Sequence, residues 1–179
     1  MAATQRSGDH RLAGILAGSA SVHALLAGDI PAARAYLQQA AEAIRAIGDE
    51  EPSTPLNMGW VLRQDHDPDG ARASFQAALR ISRRAGHRFF IANASLGLAC
   101  LTADDGRWHR AATLHGVAQA FLDRSGQRWQ ELETRHRRDS LDHVRARLGQ
   151  EQLDRAHATA MALSSDEAPD LASGKALPA

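Results

Sequence analysis

Six consecutive residues, Asp65-His66-Asp67-Pro68-Asp69-Gly70, have the side chains and the alternation that a hard cation asks for. In a calcium loop, carboxylates at alternate positions surround the ion and the glycine allows a sharp turn. The twelfth position must then supply a bidentate glutamate, and here it is Gln76. The segment therefore suits a solvated turn whose acids favour the N-terminus of a following helix. The nine histidines pose the same question. His109 and His115 are six apart, and His136 and His143 seven apart, so neither pair has the i, i+4 spacing of a helical zinc motif. Ser19 and Ser21 lack the G-x-S-x-G context of a nucleophile elbow. Cys100 lies on an apolar segment and suits a packed small hydrophobe better than a nucleophile. No catalytic residue, metal site or cofactor is expected.

Charge gives little further direction. There are 21 basic and 21 acidic residues, so the formal net charge is zero. Neither nucleic acid nor a membrane surface is an expected partner. The densest basic stretch, Arg135, His136, Arg137 and Arg138 followed by Arg145 and Arg147, is interleaved with Glu131, Glu133, Asp139 and Asp142. A solvated, salt-bridged helix accounts for it. One cysteine excludes a disulfide framework. The residues after Met1 lack the apolar core of a signal peptide, and no apolar run is long enough to span a bilayer, so a cytoplasmic location is expected.

The elements that would position any site are helices. Hydrophobic residues make up 44% but aromatic ones only 4%, and alanine is abundant, which favours closely packed helices over a sandwich of sheets. Gly28, Gly48, Gly70, Gly86, Gly106, Gly126 and Gly149 recur at spacings of 20, 22, 16, 20, 20 and 23. Glycine at a helix end supplies the left-handed conformation that other residues resist. No proline occurs from 69 to 168. Helices are predicted over 9–26, 31–47, 54–65, 69–85, 88–103, 107–125, 127–148 and 150–163. The flanks 1–8 and 165–179 are expected to be flexible, leaving one domain over 9–164.

Within alternate helices, alanines recur seven apart: Ala33 and Ala40, Ala71 and Ala78, Ala111 and Ala118. Two helical turns separate each pair, so both alanines share a face. Tyr36, Leu37, Phe75, Leu79 and Leu114 stand between or beside them as bulky filling. This resembles the tetratricopeptide (TPR) pattern, best carried by Gly28, Ile30, Ala33, Tyr36 and Ala40, then by Gly106, Trp108, Ala111, Leu114 and Ala118. The second repeat has His66 in the turn-glycine place. The resemblance implies an all-α fold, a right-handed stack of about four antiparallel helix pairs.

A narrower resemblance lies in residues 106–168. The run Arg110-Ala111-Ala112-Thr113-Leu114-His115-Gly116-Val117-Ala118-Gln119-Ala120 with Gly126, and Val144 to Gly149 with Leu153, Ala156, Leu163, Ser164, Glu167 and Ala168, are similar to the C-terminal repeats of LuxR-type and SARP-type bacterial regulators. Leu153, His157 and Ala160 depart from an aromatic, a tryptophan and a glycine frequent there. The resemblance implies a sensory or interaction region of a transcription regulator, binding a protein partner or a small effector. It does not imply nucleotide or DNA binding by this chain, which has no G-x-x-x-x-G-K-[ST] and no helix-turn-helix left over. A free-standing scaffold unrelated to transcription is the alternative.

In a TPR array the first helix of each hairpin lines the concave face. That geometry assigns Asn57, Trp60, Arg63 and Gln64 to a partner-binding surface from the second repeat, and Asn93, with Cys100, from the third. An indole beside a guanidinium and amides suits ligand capture, although Trp60 equally suits packing between hairpins. Leu12, Ile15, Leu16 and Val22 make an apolar stripe on the first helix, to which a second copy of the chain would pair.

Overall fold

The computed structural model describes residues 2–163, with side chains from residue 9. The expected tail over 165–179 lies outside the described residues. Those described form eight α-helices and no strand: α1 (Ala2–Ala27), α2 (Ile30–Ala46), α3 (Ser53–Gln64), α4 (Pro68–Ala85), α5 (Arg88–Asp104), α6 (Trp108–Ser125), α7 (Glu131–Leu148) and α8 (Gln150–Ala162). Six of them lie within two residues of the limits read from the sequence. The first begins at Ala2 rather than 9. The seventh begins at Glu131 rather than 127. After the left-handed Gly126 the chain runs out to an extended Gln130, and Trp129 Nε1 donates to Gln119 Oε1 of α6 at 3.1 Å. That bond holds the connection off the helical path. No described helix is long and apolar enough to cross a membrane.

The chain divides into two compact units, Met1–Ile81 and Ser82–Ala179, and the division falls inside α4. In the first unit, α1 and α2 are antiparallel neighbours. Gly14, midway along α1, lies against Ile44 and Ala40 near the end of α2. The buried face of α2 is Ala33, Leu37, Ala40 and Ile44, one stripe at helical spacing. Tyr36, read as core filling, instead points outward at 39% exposed, and Leu37 takes that role. Asp29 Oδ1 caps α2 by accepting from Ala32 N–H at 3.0 Å, and Pro31 occupies the first turn, where its missing N–H costs nothing. Helix α3 closes on α4 where Gly59 meets the ring of Phe75.

In the second unit α5 and α6 pack along their lengths, and every residue of α5 from Ile91 to Ala103 is buried. Helix α7 runs antiparallel to α6: His115 meets Ser140, and Trp108 lies beneath the Arg147 guanidinium. Helix α8 runs parallel to α6, with His109 against Gln152 and Gly116 against His157 and Ala160. Ala103, Ala111, Ala112, Leu141, Val144 and Leu153 form the apolar core at one end of these helices. The six repeat alanines are all buried.

The acidic hexapeptide is a helix junction. Asp67 Oδ1 accepts from Gly70 N–H at 2.9 Å and so caps α4, while Asp65 pairs with Arg34 of α2. Gly70 is consequently inside the helix and is not a break residue. His66 takes the left-handed conformation instead, the one non-glycine residue with positive φ (58°) among those described. The left-handed positions are then 28, 48, 66, 86, 106, 126 and 149, spaced 20, 18, 20, 20, 20 and 23, a more even rhythm than the glycines alone suggested.

A left-handed residue with a Cβ costs about 1–2 kcal/mol, part of which glycine returns through its freer unfolded chain. His66→Gly is therefore expected to stabilise the protein by about 0.5–1 kcal/mol, read as a higher urea midpoint at unchanged slope. Gly106→Ala is expected to lose about 1 kcal/mol or more by the same measurement.

Candidate functional site

The residues assigned to a concave binding face occupy different environments. Trp60 is fully buried, with its ring edge-on to Phe75 at a centroid separation of 4.9 Å. Asn93 is also fully buried; its Nδ2 donates to Phe89 O of its own helix at 3.2 Å. Asn57 is buried, and only Arg63 and Gln64 keep partial exposure. The indole thus sits in the core, the packing role that its size favours. Cys100 is buried as well, its thiol directed at His136 O at 3.7 Å. Of these positions, Asn57, Trp60, Asn93 and Cys100 are buried, and Arg63 and Gln64 remain partly open.

A polar cluster that the sequence did not advertise lies in the second unit. His115 Nε2 and Ser140 Oγ are 2.8 Å apart, a separation found between a nucleophile and its base. Both residues are enclosed, at 0% and 4% exposure. The bond instead satisfies two polar groups that α6 and α7 bury together. Nearby, burial raises the carboxyl of Glu133 above its ordinary value, with backbone N–H groups of Glu133 and Gln130 opposing. Burial lowers the Arg137 guanidinium, with Asp123 opposing. Burial also lowers His157, Arg137 adds to that effect, and Asp154 opposes it. Glu133 Oε2, Arg137 Nε and His157 Nε2 are enclosed without a hydrogen-bond partner among the described residues.

The arginine-rich helix α7 is salt-bridged on its outer face, as expected. Arg135 pairs with Glu131, Arg145 with Asp142 at 2.8 Å, and Arg138 with Asp139 at 3.2 Å. Comparison with family models, with curated proteins and with solved structures gives no match.

A cleft of about 580 Å³ lies between α6 and α8. His109 and Thr113 line it from α6, and Gln152, Arg155, Ala156 and Thr159 from α8. His109 Nε2 and Gln152 Oε1 bridge it at 2.8 Å, and Arg155 pairs with Glu151 along its rim. A cleft of this size with a few convergent polar groups is what small-molecule recognition uses. The sequence placed these residues on helices but carried no sign that α6 and α8 lie side by side, since 43 residues separate His109 from Gln152.

Because Trp60 is core, Trp60→Ala is expected to cost about 3–5 kcal/mol of folding stability, the range for a large buried aromatic. Arg63→Ala is expected to cost no more than about 1 kcal/mol. Equilibrium urea denaturation of the two variants checks both values.

Proposed function

We propose that this chain is a non-catalytic, TPR-like helical-repeat module that binds a protein partner or small effector, and that it serves as the sensory or interaction part of a LuxR-type transcriptional regulator. The observation carrying the repeat reading is the relation among α6, α7 and α8. The alternate helices run parallel and the intervening one antiparallel, as stacked hairpins require, and the left-handed turns recur every 18 to 23 residues. The pattern over residues 106–168 supports the link to LuxR-type regulators. We assign recognition to the α6–α8 cleft and not to the Trp60 face, because His109, Gln152 and Arg155 are exposed there while Trp60 and Asn93 are enclosed.

A thermal-shift screen of metabolites and short peptides tests the binding role. A ligand held at a hundredfold excess over its Kd adds about 2.7 kcal/mol of stability. The shift is expected to disappear in folded Arg155→Ala and His109→Ala variants and to persist in Arg63→Ala. A shift lost only in Arg63→Ala would return the site to the sequence-assigned face. For the regulator, an ATPase and helix-turn-helix sequence is expected in the same reading frame or in an adjacent one. Neither being encoded there would favour the free-standing scaffold.

The module also offers a surface to a second copy. Leu12, Ile15 and Leu16 on α1 are 57%, 57% and 60% exposed, whereas Val22, read as part of the same stripe, is half-buried. Self-association through α1 is expected at high micromolar concentration and is expected to be abolished by Leu16→Glu. Sedimentation equilibrium checks it, and a monomeric wild type would exclude the pairing.

A further inference from the structure

Helix α8 is held to the second unit along a face that changes character halfway. Its first half contributes Leu153 and Ala156 to the apolar core. Its second half presents His157 and Ala160 to Gly116 of α6. A Cβ at Gly116 would stand 2.6 Å from Ala160 Cβ, 3.1 Å from His157 Cα and 3.3 Å from His157 Cδ2, so α8 rests on α6 with no room to shift inward.

Around the imidazole the charges are unfavourable to a cation. From α7, Arg137 stands close enough to act on it electrostatically. On α8 itself Asp154 offers the opposing charge, three residues earlier. From α6 the chain presents Gly116, beside His115, whose ring is directed to Ser140. Asp123, also on α6, acts on Arg137 and accepts from Gln119 Nε2 at 2.7 Å. Glu133, on α7, is buried in a setting that favours its neutral form. His157 Nε2 is enclosed with no hydrogen-bond partner among the described residues. A protonated imidazole has an N–H at both ring nitrogens, so protonation would leave the enclosed Nε2–H without an acceptor.

We propose that His157 is an acid-sensitive latch: protonation of its imidazole loosens α8 from α6 and α7. The folded state disfavours the protonated ring, so His157 contributes stability that is present above its unfolded value of about 6.5 and is lost as pH falls below it. The loss has a ceiling of about tenfold in the opening equilibrium for each pH unit below that value. Glu133 titrates with the opposite sign, its neutral form being favoured on folding, so it cannot mimic the effect.

The test is amide hydrogen exchange of the full chain at pH about 7.5 and about 5.5, chosen to bracket the imidazole, corrected for intrinsic rates. The opening equilibrium of α8 is expected to rise about threefold or more on acidification, within the tenfold ceiling. The rise is expected to vanish in His157→Gln and to shrink in Arg137→Gln, which removes the neighbouring cation. A smaller rise in the wild type overturns the proposal, as does a rise that His157→Gln retains. Should His157→Gln not fold, an undiminished rise in Arg137→Gln overturns it equally. None of these readouts depends on which ligand the protein binds.

Discussion

Three helix contacts in this protein pass over a glycine, and the packing around them depends on those close approaches. Gly14 lies under Ile44, Gly59 under the ring of Phe75, and Gly116 under Ala160. A Cβ at any of the three would come within 2.6 to 2.9 Å of a side-chain carbon, closer than packed atoms allow. Side chains in a close-packed interior cannot absorb such an intrusion without loss of contacts elsewhere. The buried alanines beside these contacts keep the helices near one another, and a few large residues fill what remains. Only four phenylalanines and three tryptophans are needed for that purpose.

The same close approach leaves little room for polar groups, and the second unit shows where they go. At one end of α6, α7 and α8 an apolar cluster runs from Ala111 to Val144 and Leu153. At the other end His115, Ser140 and Glu133 are buried, and Arg137 Nε and His157 Nε2 are enclosed. A hydrogen-bonded pair such as His115 and Ser140 is tolerated at small net cost, whereas an enclosed and unpaired group is costly. The polar end is therefore the part of the unit most responsive to protonation, and the apolar end the part that keeps the helices together.

Much of the helical order was legible in the sequence. The breaks at Gly28, Gly48, Gly86, Gly106, Gly126 and Gly149 are all left-handed, and the alanine pairs all face the core. Gly70 misled, because a glycine three residues after an aspartate reads as a turn, yet its N–H can also donate to a capping carboxylate, here Asp67. His66 carried the turn instead, and an aromatic side chain in that conformation gives no compositional signal. The start of α7 was placed four residues early because nothing local distinguishes 127–130 from helix. The bond from Trp129 to Gln119, ten residues away in sequence, sets that boundary.

By itself the sequence determined the helices, their order and the alanine stripes that face inward, because spacing along a helix and conformational preference at its end are local properties. Which groups are open to a ligand was decided only by tertiary structure. Periodicity assigns Trp60 and Asn93 to a face, but whether another element covers that face depends on packing partners distant in the chain. The α6–α8 cleft and the setting of His157 belong to that second class. Each exists because helices separated by a whole hairpin lie side by side, and exposure and electrostatic environment follow from that neighbourhood rather than from the residue itself.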